Sequence, residues 1–65
     1  MVMLNLQQIR ELRLALEMTP EQFAESLGVS WSTVYMWERG ETHPRYKKLL
    51  KLNELVKKIG LSLSA

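Results

Sequence analysis

An all-α bundle of four to five short helices is the fold class that three features of this sequence predict. Helix-start signals recur, with Asn5, Thr19 and Ser30 each standing just ahead of a helical run. Glycines follow the later runs at Gly28, Gly40 and Gly60, where a helix stops most easily. Apolar residues recur at spacings of three and four, the period of a helix with one buried face. Sixty-five residues make a single domain, 1–65, with a small core, and the absence of cysteine removes any disulfide framework.

Taken in order, Met1 to Leu4 reads as an arm or frayed start. Asn5 with Gln8 three residues on forms a variant of the capping box, and a first helix runs from there to about Leu16. Its apolar stripe is Leu6, Ile9, Leu12 and Leu16. Thr19-Pro20-Glu21-Gln22 is a second start: a threonine cap, proline at the first helical position and glutamine three after the cap. This helix covers about 20–27. Ser30 caps a third helix over about 31–38, which Arg39-Gly40 ends. Glu41 to Pro44 is a loop. From Arg45, the residues Tyr46, Leu49, Leu50, Leu52, Leu55, Val56 and Ile59 recur at helical spacing over an arc wider than one core needs. Gly60 stops that helix, and Leu61 to Ala65 is a short apolar tail.

The stretch from Pro20 to Trp37 carries the functional signal. Phe23 and Leu27 lie four apart and share one helix face. Ala24 beside them is small enough to let a second helix cross closely. Gly28 takes the positive φ that ends the first of the two helices, and Val29 closes the turn from inside. Val34 and Trp37, three apart, direct the second helix's inner face to the same core. Trp31, Ser32, Tyr35 and Met36 are left pointing outward. Two short helices joined in this way have the spacing of a helix-turn-helix, whose outward face enters a DNA major groove.

Charge agrees with an anionic partner. Residues 1–44 carry three basic residues against six acidic ones, a net of −3. Residues 45–65 carry six basic residues against Glu54 alone, a net of +5, so the formal total is only +2. Such asymmetry favours an oriented anionic partner, although a lysine-rich helix is also an ordinary solvated face. No apolar run approaches the length of a membrane span, and no signal peptide is evident. One histidine and no cysteine build no metal site. No histidine–nucleophile pair or paired carboxylates suggest catalysis, and no cofactor is expected.

The run from Ile9 to Pro44 contains Arg10-x-x-Arg13, Ala24, Leu27-Gly28-Val29-Ser30, Thr33-Val34, Trp37-Glu38-Arg39-Gly40 and Pro44. It resembles the Cro/Xre-type helix-turn-helix repressors. The resemblance implies a lambda-repressor-like bundle that binds double-stranded operator DNA, usually as a homodimer. By position it places Trp31, Ser32 and Met36 at base edges. It places Thr33, Arg39 and the loop Thr42, His43 to Arg45 at phosphates, where Lys48 of the basic segment is a further candidate. It also implies an ion pair between Arg13 and Glu38. Two departures stand out. Pro20 replaces the family's common glutamine, so only later backbone amides of that helix remain for a phosphate. Glu17 replaces the glycine between the first two helices.

Trp31 and Met36 cannot make the paired hydrogen bonds of direct readout, but they can press on a thymine methyl. Ser32 can bond to either type of base, and Tyr35 can reach a base or a phosphate. Two rival readings stand beside this one. Trp31 packs sideways onto the second helix, or Trp31, Tyr35 and Met36 form a protein-binding patch on a fold that has lost DNA. The surplus apolar residues Leu55, Val56, Ile59, Leu61 and Leu63 are candidates for a homodimer interface; the competing reading is that the helix wraps the monomer core and the tail frays. The expected function is a sequence-specific transcriptional repressor in the cytoplasm of a bacterium or phage host, associated with the nucleoid. One such role is that of an antitoxin that binds a toxin protein and represses its own operon.

Overall fold

The computed structural model describes residues 3–63, among which there are four α-helices and no strand. They are α1 Leu6–Ala15, α2 Pro20–Leu27, α3 Trp31–Glu38 and α4 Tyr46–Ile59. The starts follow from side-chain caps. Asn5 Oδ1 accepts the Gln8 amide at 2.8 Å while Gln8 Oε1 accepts the Asn5 amide at 3.0 Å. Thr19 and Gln22 repeat this reciprocal pair at 3.1 and 2.9 Å, with Pro20 at the first helical position. Ser30 Oγ accepts the Thr33 amide at 3.4 Å to open α3. Arg45 stands at the cap position of α4 without a side-chain cap bond.

All four helices stop in one way. A residue with positive φ follows the last turn, and two amides fold back on the carbonyls five and three positions earlier, the Schellman arrangement. The chain's three glycines fill this place after α2, α3 and α4. After α1 it is filled by Glu17, at φ 57°, the one non-glycine residue with positive φ among those described. The Met18 amide then reaches Arg13 O at 3.2 Å and the Glu17 amide reaches Leu14 O at 3.0 Å. Glu17 therefore makes the same left-handed turn that glycine makes after the other three helices, and strains the backbone in doing so.

The buried core consists of Leu4, Ile9, Leu12, Phe23, Ala24, Leu27, Val34, Trp37, Leu49 and Leu52. Among the described residues no polar or charged residue is buried. Ala24 is 2% exposed where α2 and α3 meet, as its size predicts. Leu4 corrects the expected arm. It is 3% exposed and belongs to the core, so the chain docks one residue ahead of the Asn5 cap. Met1 and Val2 of that arm lie outside the described residues. Leu6 is a second correction: it is exposed at the start of α1, while Leu16 packs partly against the core.

α4 answers part of its apolar surplus within the monomer. Leu49 and Leu52 are core, and Leu55, Val56, Leu61 and Leu63 pack half-buried against it. Leu50 and Ile59 stay exposed. Ser64 and Ala65 of the tail lie outside the described residues.

Candidate nucleic-acid interface

The outward face of α3 is built by the same caps and core contacts that fix the helix. Val34 and Trp37 are 0% and 3% exposed, which turns the opposite side of an eight-residue helix to solvent. There Trp31 is 59% exposed. It does not lie back on α2; its ring meets Tyr35 edge-on, with centroids 5.4 Å apart and planes at 86°. Ser32 is exposed, and its hydroxyl shares a hydrogen bond with Ser30 Oγ at 3.0 Å. Tyr35 and Met36 are half-buried.

Trp31, Ser32, Tyr35 and Met36 line one open groove of about 520 Å³ together with Glu21 and Arg39. Glu21 is the residue that sequence reasoning passed over as part of a helix start. The crossing of α2 and α3 brings its carboxylate to the Tyr35 hydroxyl, which donates to Oε2 at 3.4 Å. Nothing in the local sequence announces this, because the two residues meet only when the helices cross.

The expected phosphate-contacting residues divide between two sides of α3. Thr33, Thr42, His43, Arg45 and Lys48 surround a second cleft, floored by Val29, Met36 and Trp37. Arg39 lies on the other side, in the groove with Trp31, and its guanidinium pairs with Glu41; both side chains are exposed. Lys48 also has a structural task. Its ammonium donates to the Leu27 carbonyl at 2.8 Å and so ties α4 to the end of α2. An ammonium has three donors, and this bond occupies one. At the start of α2, Thr19 takes the Gln22 amide through Oγ1 and the Phe23 amide through its carbonyl. Pro20 has no amide, so the Glu21 N–H is what this end of the helix retains for an anion.

Arg13 and Glu38 meet as the resemblance implied. Arg13 Nε donates to Glu38 Oε2 at 2.8 Å and Nη2 to Oε1 at 3.1 Å, a fork matched to a carboxylate. Nη1 donates to the Met18 carbonyl at 3.0 Å. The side chains are 11% and 13% exposed. The hydrogen bond to Glu38 raises the arginine's pKa further above its ordinary value, against the opposing effect of burial. The pair therefore locks the strained α1–α2 turn to the end of α3. It sets the position of the outward face without belonging to it.

No helix among the described residues is long and apolar enough to cross a membrane. No curated protein and no solved structure matches the chain. A family model described as helix-turn-helix matches residues 9–63, which spans α2, the Gly28 turn, α3, all of α4 and all of α1 but its first three residues. With that match and the geometry of α2 and α3 together, the chain belongs to the Cro/Xre-type helix-turn-helix family of DNA-binding transcription regulators.

Proposed function

We propose that this chain is a sequence-specific repressor that binds its operator as a homodimer and reads the major groove with α3. The observation that carries the proposal is the outward face of α3. It is exposed at Trp31 and Ser32, and flanked by Arg39 on one side and by Thr33, Thr42, His43, Arg45 and Lys48 on the other. A helix seated in a groove has a phosphate backbone on each side, and this arrangement supplies donors to both. Trp31 and Met36 contact pyrimidine methyl groups, Ser32 and Tyr35 bond to base edges, and the flanking residues hold phosphates.

Homodimerisation rests on α4 and the tail. Ile59 is exposed and Leu55, Val56, Leu61 and Leu63 are half-buried, so a partner copy would complete their burial. The intramolecular packing of those four makes the surface left for a dimer smaller than their number suggests. Control by a bound toxin, with the chain as autoregulating antitoxin in a bacterial or phage setting, is the regulatory role we favour for a domain of this size.

A second reading has one observation in its favour. The groove beside Trp31 is mainly apolar, Arg39 is engaged by Glu41 and Lys48 by Leu27 O, which suits a protein partner. Selection of binding sites from a random duplex pool separates the two. Recovery of an inverted repeat supports the operator-binding dimer. A pool that returns no sequence preference at low salt leaves the protein-interaction module.

A further inference from the structure

The groove on α3 holds a carboxylate, and a carboxylate facing a polyanion is unfavourable unless it receives a proton donor. Glu21 has one described hydrogen bond, the long 3.4 Å bond from Tyr35, and retains acceptor capacity, with Arg13 acting on it only through longer-range attraction. Arg39, on the same groove, pairs with Glu41 instead. Beside this acceptor stand the apolar surfaces of Trp31 and Met36. The groove thus presents an acceptor and an apolar wall next to each other.

Base edges in the major groove answer that pair unequally. Thymine has a C5 methyl, but its neighbour is the O4 acceptor, which a carboxylate repels. Adenine offers an N6 donor next to the N7 acceptor and no methyl on its own ring. Cytosine offers the N4 donor and a bare C5. Cytosine methylated at C5 carries both features side by side on one ring. We propose that Glu21, Trp31 and Met36 form a subsite for 5-methylcytosine in duplex DNA. Glu21 accepts from N4, and Trp31 and Met36 cover the methyl group. The Tyr35 hydroxyl donates to the Glu21 carboxylate and so holds it toward the groove, while its oxygen stays open to accept from a base. The proposal rests on α3 reading a major groove, and it narrows the methylpyrimidine that α3 prefers.

The test begins with sites selected from two random duplex pools, one made with cytosine and one with 5-methylcytosine. On the recovered site, each pyrimidine is exchanged among cytosine, 5-methylcytosine, thymine and uracil. Affinity is then measured for the wild type, Glu21→Gln and Trp31→Ala. One position per half-site should prefer 5-methylcytosine over cytosine by roughly fourfold, the effect of one buried methyl group. The same position should prefer it over thymine by roughly tenfold, the effect of one charge-assisted hydrogen bond. Glu21→Gln, whose amide can also donate, should erase the preference over thymine and keep that over cytosine. Trp31→Ala should do the reverse. Sequence-selective binding that changes less than about twofold on methylation at every position overturns the subsite and leaves the reading by α3 intact. Failure to bind any duplex overturns both.

Discussion

Glu17 is the residue at which this chain departs most plainly from local preference. Its φ of 57° places an L side chain in a region that costs roughly 1–2 kcal/mol. Its side chain is exposed, so only the backbone is at stake. Glu17→Gly should relieve the strain and lose some of the gain to the greater freedom of glycine in the unfolded chain. A net stabilisation of about 0.5–1 kcal/mol is expected in denaturant unfolding. Unchanged or lower stability would mean that the Schellman turn is not strained there. The lock on that turn is Arg13. Its fork to Glu38 and its bond to Met18 O leave it largely enclosed, so Arg13→Ala should cost about 2–3 kcal/mol, the loss of charge-assisted bonds at a part-buried site. Arg13→Ala with Glu38→Ala should cost less than the two single changes together; additive costs would deny the coupling. Burial works against the arginine's charge, but the Glu38 bond outweighs it and raises the pKa above its ordinary value. A raised cation stabilises fully below its unfolded value and loses that contribution only as pH rises through the folded one. Arg13 therefore adds no pH dependence near neutrality.

At the scale of elements, α3 has to serve the core and the interface with eight residues. Trp37, 3% exposed, fills the core, and Trp37→Ala should cost about 3–5 kcal/mol. Trp31, 59% exposed, should cost less than about 1 kcal/mol when changed to alanine, yet weaken binding to a selected duplex. Thermal unfolding and a duplex titration on both variants check this; equal destabilisation would place Trp31 in the core. The bounds of α2 and α3 were legible because every start and stop is local chemistry. Thr19 with Gln22, Ser30 with Thr33, and the glycines after the last turns each act within a few residues. The outward face was legible for the same reason, since Val34 and Trp37 determine which side is left. Leu4 was not, because a residue ahead of the first cap has no period to reveal it. Glu21 and Lys48 were not, because each finds its partner across 14 or 21 residues, through a helix crossing that pattern alone does not specify.

The whole molecule is about 26 Å in its longest dimension, and α3 is about 12 Å long. One such helix contacts only a few base pairs, and useful specificity needs a second. A two-fold dimer sets two copies of α3 about 34 Å apart, one turn of DNA. Sedimentation at micromolar concentration, with and without a selected operator duplex, should give two protomers per duplex. One protomer per duplex with a monomer in free solution would remove the dimer. Charge is arranged to match, with the net of +5 confined to residues 45–65 and Arg39 the basic residue nearest the α3 face from the acidic part.

The salt dependence of duplex affinity tests most directly whether α3 and its flanks hold DNA. Arg39, Arg45 and Lys48 from each of two protomers would release counterions from the phosphates they meet. The plot of log affinity against log salt should then have a slope of about −5, and Arg45→Ala should bring it to about −3.5. A slope near zero, unchanged by Arg45→Ala, would contradict the account and assign the exposed aromatic groove to a protein partner.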